Sequence, residues 1–235
     1  NFAAIKHVRS EENFNSINYL FQTNSFSFFL YKKYYLKKFF SVSTDKSVNP
    51  SSILGISKHF MEINMHNWNK KKNIFISSAR FANVSFSNGS ILKFIFDRVK
   101  AKKSFGLPQK IKRYFITHSE ASSLCMKALL KRNKCKILIP NNKDILKKDI
   151  SILYLADKIL KYFNINANLM KFFSKKKIFK NKNFSIFLIS KNIYGQKNFE
   201  KFLYFNEKIL FDKFDKTIFK INFTEEKNKF NKKRI

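Results

Sequence analysis

Trp68 and Arg80 bracket the segment WNKKKNIFISSAR in a chain where both residue types are scarce: one tryptophan, and six arginines among 48 basic residues. An indole offers a flat face to an unstacked base, and a guanidinium both stacks and forks its donors onto phosphate. Lys70, Lys71 and Lys72, lying between the two, would touch phosphates and fix position without reading sequence. Lys102, Lys103, Lys112 and Arg113 form a second basic group of this kind, and Lys175, Lys176 and Lys177 a third. The structural alternative is that Trp68 caps the core and Arg80 pairs with a local carboxylate.

Other chemistries find less support. The four glycines, Gly55, Gly89, Gly106 and Gly195, assemble neither a dinucleotide fingerprint nor a phosphate loop. His59 and His66 have no cysteine at zinc-ligand spacing. Asp149, Asp157 and Glu120 read as helix-surface or capping carboxylates, and no nucleophile elbow is present. The residues imply no catalytic site, no metal, no cofactor and no small-molecule substrate.

The balance of charge points to a polyanion. The formal net charge is +33 over 235 residues. Such a charge strains a compact monomer, and neutralising phosphates releases their counterions. A membrane surface is the competing polyanion. Lysine, asparagine, isoleucine and phenylalanine dominate, as expected of a strongly AT-biased genome. Cys125 and Cys135 are too few for a disulfide framework and read as small buried hydrophobes. The chain opens at Asn1 and is read as processed or incomplete. No run of 18 apolar residues is present, so no membrane span is expected.

Hydropathy periods give the elements. Residues 1–50 read as an N-terminal extension, closed by the turn-rich linker STDKSVNPSS. A short helix over 51–61, with Ser51 or Ser52 at its cap, leads through a polar loop to a strand over 73–77. Residues 91–103 have helical spacing. A strand over 112–117, a helix over 118–133 capped by Ser119, a strand over 134–140 and a helix over 150–163 follow. Strands alternating with helices predict an α/β core with a parallel sheet over 51–163. Residues 164–235 form a basic, aromatic-rich C-terminal extension, with strands over 185–190 and 216–223 and a helical face over 199–214.

Three blocks carry a family resemblance. His59-Phe60, Trp68-Asn69, Ile76 and Ala79-Arg80 resemble the His-Phe-Gly-His, Trp-Asn-Pro-Lys and Tyr-Ile-x-Gly-Ala-Arg motifs of bacterial-type small-subunit ribosomal protein S-two. Residues 107–129 and 137–159 are similar to its later segments, in the family's order. Met61, Lys70 and Asn142 depart from the pattern. The resemblance implies a flavodoxin-like parallel sheet flanked by helices, reduced, with extensions at both ends. It implies a structural, non-enzymatic component of a small ribosomal subunit, with small-subunit ribosomal RNA and neighbouring ribosomal proteins as partners. Trp68, Asn69 and Arg80 would then shape an RNA-facing edge. With the AT bias it implies the matrix of a mitochondrion or another AT-rich organelle. The rival readings are an accessory subunit of an organellar membrane complex and an RNA-processing protein.

Overall fold

A computed structural model describes residues 1–6, 13–26, 34, 36–71, 74–130, 136–141, 149–165, 168–170, 177–180, 185–189, 200–205, 207–211 and 215–222. Its helices are α1 (Phe14–Phe21), α2 (Ile53–Lys71), α3 (Ile91–Lys100), α4 (His118–Leu130) and α5 (Ile152–Tyr162). The first strands are β1 (Lys38–Thr44), β2 (Phe75–Phe81), β3 (Asn83–Val84), β4 (Phe105–Pro108), β5 (Lys112–Arg113) and β6 (Phe115–Ile116). Then come β7 (Lys136–Pro140), β8 (Ile150–Ser151), β9 (Asn168–Met170), β10 (Lys177–Lys180), β11 (Ser185–Ile189), β12 (Ile209–Phe211) and β13 (Ile218–Asn222).

Two compact units divide the chain: one takes Asn1–Phe81, Ser122–Asn141 and Lys201–Ile235, the other Ala82–Ala121 and Asn142–Glu200. The first is built on a five-stranded sheet in the order β1-β2-β7-β13-β12. β1, β2 and β7 run parallel, β13 runs against them, and β12, antiparallel to β13, takes their direction again. The two-residue period of β1 and β2 separates their side chains onto two faces. Phe40 and Ala79 join Leu124, Cys125 and Ala128 of α4 in one apolar cluster. On the opposite face Ser41 donates to Met61 Sδ of α2 and Phe39 meets Trp68 of α2. Helices thus cover both faces of a mainly parallel sheet, as the α/β reading expects. Small residues in β2 let the layers close: Ser77 Oγ donates to the Ala128 carbonyl and Ser78 Oγ to that of Ser41, each at 2.7 Å.

The second unit packs α3 and α5 with β4 and β11 around Leu92, Ile95, Leu107, Ile152 and Ile186. Its four-stranded sheet runs β4-β11-β10-β9, and β3 pairs with β6 and β5 with β8.

Several local expectations change. The helix expected over 51–61 continues to Lys71, so the polar loop is its last turns. Ser52 caps it, accepting from the Gly55 amide. α4 is capped by Thr117 rather than Ser119: Thr117 Oγ1 accepts from the Glu120 amide and Glu120 Oε2 from that of Thr117. That reciprocal pair is a capping box. The helical face read over 199–214 gives way to β12, because pairing with β13 outweighs local spacing. STDKSVNPSS is no linker: it holds the end of β1, a 3-10 turn at Asp45–Ser47 and the cap of α2.

Candidate active site at the carboxyl end of β1

In an open parallel sheet, ligand-binding residues gather beyond the carboxyl ends of the strands. Here that end carries Thr44, Asp45, Lys46 and Ser47, with α2 packed beside them. The sheet-facing stripe of α2 is Leu54, Lys58, Met61, Glu62, Met65 and Trp68, all buried. Two charges therefore interrupt an otherwise apolar stripe.

Glu62 is explained by its partners. Ser43 of β1 and Arg80 of β2 are register neighbours, so their side chains leave the same face of the sheet. Glu62 Oε1 accepts from Ser43 Oγ at 2.5 Å, Ser47 Oγ at 3.1 Å and Arg80 Nε at 3.2 Å. Arg80 is 0% exposed. It also pairs with Glu62 Oε2 and Glu207 Oε2, both at 2.7 Å, and donates to the Phe202 carbonyl at 2.6 Å. Burial works against its charge, and Glu62 and Glu207 overcome it, holding the pKa above the ordinary arginine value. The network straps Phe202–Glu207 onto the sheet. Tyr204 there lies under the guanidinium, and its hydroxyl contacts His59 Nδ1 and the Ser47 carbonyl.

Lys58 has no such pairing. It is 4% exposed, donates to the Val42 carbonyl at 3.1 Å and lies 3.9 Å from Met61 Sδ. Burial lowers its pKa to about 8, against the pull of Glu62. Asp45, 1% exposed, accepts at Oδ1 from Thr44 Oγ1 (2.8 Å) and Lys46 Nζ (3.1 Å). Its Oδ2 is buried without a hydrogen-bond partner among the described residues. A buried, unsatisfied carboxylate oxygen costs stability unless something outside the chain satisfies it. A desolvated amine close to neutral pKa, anchored on the Val42 carbonyl of β1, marks a candidate site with it.

Gly55 keeps the turn and α2 in contact. A Cβ there would collide with the Lys46 carbonyl oxygen and come to 3.0 Å from Pro50 Cβ. Gly55→Ala is expected to cost about 1–3 kcal/mol, as overpacking does, by levering the Asp45–Ser47 turn off the helix. Urea denaturation of the variant checks it; unchanged stability would show that the turn can yield.

The residues singled out from sequence are dispersed. Trp68 is buried, edge-on to Phe39 at 5.6 Å, near the start of β1, whereas Arg80 faces Ser43 near its end. Roughly 13 Å of strand separates them, and each fills the structural role weighed as the alternative. Asn69, Lys70 and Lys71 lie in the final turn of α2; Lys72, Lys175 and Lys176 lie outside the described residues, and Lys177 begins β10. Lys102 and Lys103 are exposed behind α3. Lys112 is 3.7 Å from Asp149, and Arg113 Nε 3.4 Å from Glu200. Cys125 is buried, its thiol pushed up to about 11 by burial; Cys135 lies outside the described residues. No helix among the described residues is long and apolar enough to cross a membrane, and no metal-binding cluster occurs among them.

Thr44, Asp45, Lys46, Lys58 and Glu62 were not anticipated. The available signals were an acid–base dipeptide directly after the strand segment FFSVST, and two charges on the apolar stripe of a helix.

Residues 1–219 match the polysaccharide biosynthesis protein family, and the chain belongs to that family. It is 33% identical over 96 residues to the capsular polysaccharide biosynthesis protein CapD of Staphylococcus aureus, covering 40% of this chain and 16% of CapD. Among solved structures it is similar to Pen from Bacillus thuringiensis (TM-score 0.73, 20% identity, 94% of this chain and 64% of that one). It is also similar to the UDP-glucuronic acid 4-epimerase of Bacillus cereus (TM-score 0.64, 17% identity, 83% and 63%). The chain thus spans less than two thirds of the length of these proteins.

These findings overturn the ribosomal reading. The family is one of polysaccharide biosynthesis, not ribosomal protein S-two. The expectations of a non-enzymatic ribosomal scaffold, of ribosomal RNA and ribosomal proteins as partners in place of a small-molecule substrate, and of a mitochondrial matrix location fall with it. So do the organellar-complex and RNA-processing alternatives. The physical reason lies in the twelve-residue step itself: it is the span from the last turns of α2 to the end of β2, which a helix-to-strand crossover in an unrelated α/β protein can reproduce.

Proposed function

We propose that this chain carries the sugar-handling part of an active site that remodels the hexose of a nucleotide-activated sugar for polysaccharide synthesis. A nicotinamide dinucleotide is the proposed redox partner. The observation that carries the reading is the orphaned Oδ2 of Asp45 together with the buried amine of Lys58 at one strand end. Hydroxyl groups suit both residues: one O–H donates to the carboxylate, and the oxygen of another accepts from the amine. A diol, of a sugar or of a ribose, offers both. Family membership supports the reading, as does the likeness to a 4-epimerase whose structure holds UDP-glucuronic acid and NAD.

Asp45 and Lys58 fit the hydroxyl-bearing portions of such ligands. The grip on a pyrophosphate is not assigned to this chain, whose four glycines lack the turn spacing. When bound, the dinucleotide supplies the acceptor for the hydride leaving carbon 4 of the sugar. Lys58, in its neutral form, takes the hydroxyl proton as the C–O bond becomes a carbonyl, and returns it when the carbonyl is reduced. Asp45 accepts a hydrogen bond from a neighbouring hydroxyl and fixes the ring. Glu62 and Arg80 hold both strand ends and the helix in register around them.

The test incubates the full-length protein with NAD and a panel of UDP-hexoses and follows the sugar by NMR. Inverted configuration at carbon 4, or loss of water from the hexose, is expected. No conversion of any hexose under conditions where a known epimerase turns over would contradict the reading.

A further inference from the structure

In the second unit, one surface combines backbone strain with exposed aromatic rings. Phe86, between β3 and α3, has φ +55°, the left-handed region in which a Cβ crowds the backbone. Its side chain is 49% exposed, so burial within this chain does little to offset that strain. The ring meets Phe96 of α3 edge-on at 5.9 Å. Phe96 in turn lies 5.0 Å from Phe163 and 6.3 Å from Tyr162, which is 75% exposed at the end of α5. Four rings from three segments are therefore linked across the surface.

Cations surround them. α3 with the turn through Lys103 carries five basic residues against Asp97, and α5 carries two against Asp157, a net +5. Lys158 lies over the Tyr154 ring at 5.4 Å, its stem along the aromatic face.

We propose that this face rests on an anionic lipid bilayer. Aromatic rings settle at the boundary of headgroups and acyl chains, and lysine stems run beside them with the ammonium in the headgroups. The negative surface potential of anionic lipid complements the net +5. A second copy of the chain would bring the same positive charge against it and be repelled. Strain at Phe86 is repaid when its ring enters the lipid boundary.

Co-sedimentation of the nucleic-acid-free protein with vesicles tests this. Phosphatidylcholine alone and phosphatidylcholine with phosphatidylglycerol are compared at low and high salt, for wild type, Phe86→Gly and Tyr162→Ala. Binding is expected to require phosphatidylglycerol and to weaken with salt. Each substitution is expected to weaken it roughly fivefold, the loss of one exposed ring from an apolar contact. Phe86→Gly relieves the left-handed strain, so its melting temperature is expected to hold or rise, which separates lost docking from lost folding. Equal binding by Phe86→Gly and wild type, binding to phosphatidylcholine alone, or binding only to added RNA would overturn the proposal.

Discussion

Arg80→Met is expected to cost the fold about 3–5 kcal/mol, the range for breaking a buried ion pair by removing one partner. The variant leaves Glu62 and Glu207 facing each other's charge in the interior, and the Phe202 carbonyl without its donor. Ser43 and Ser47 still reach Glu62, but two hydroxyls do not neutralise a carboxylate. Adding Glu62→Gln to Arg80→Met is expected to recover part of the loss, because the two residues act as one network. Lys93→Ala, which breaks the exposed pair with Asp97, is expected to cost less than about 1 kcal/mol. Urea denaturation of the four proteins measures the contrast. A loss below about 1 kcal/mol for Arg80→Met would show that the strap at Phe202–Glu207 is not held by this pair.

Lys58→Met should separate activity from stability in the opposite sense. If the amine moves a proton, turnover falls by about a hundredfold or more, the usual contribution of a positioned acid–base group. Stability, however, should rise at neutral pH. The folded pKa of Lys58, about 8, lies below the ordinary 10.5, so the unfolded chain holds its proton more tightly. The native amine therefore weakens folding below about pH 8, and this penalty is relieved as pH climbs from about 8 towards 10.5. The shift corresponds to something on the order of 3 kcal/mol. Methionine removes the penalty outright, so the gain of Lys58→Met over wild type is expected at pH 7 and should shrink across that window. Equal stabilities at pH 7 would mean that Lys58 is solvated and not a desolvated amine.

How much of this could be read in the sequence differs by element. α3 and α5 follow their hydropathy periods closely, because one apolar face meets one core, and β13 lies within its expected range although both of its faces are buried. The α/β class follows from the same alternation. The site did not, for two reasons. Ending α2 at residue 61 removed Glu62 from the helix and with it the clue that two charges share a buried stripe. Reading Thr44–Ser47 as linker followed its Asn-Pro and serine content, although Asp45 and Ser47 are buried. Turn composition reports backbone conformation, not exposure. The partners of Arg80 come from residues 62, 202 and 207, and no local pattern links positions so far apart. The net charge pointed to a polyanion but not to its kind, since phosphate of a nucleotide sugar, of lipid or of RNA attracts lysine alike.

The most direct test of the account is the pH dependence of kcat/KM for the full-length protein in the proposed UDP-hexose reaction, measured beside Lys58→Met. A rise from neutral pH to a plateau with a midpoint near 8, absent from a far slower Lys58→Met, is the predicted result. A variant that keeps the wild-type rate and the wild-type profile would contradict it.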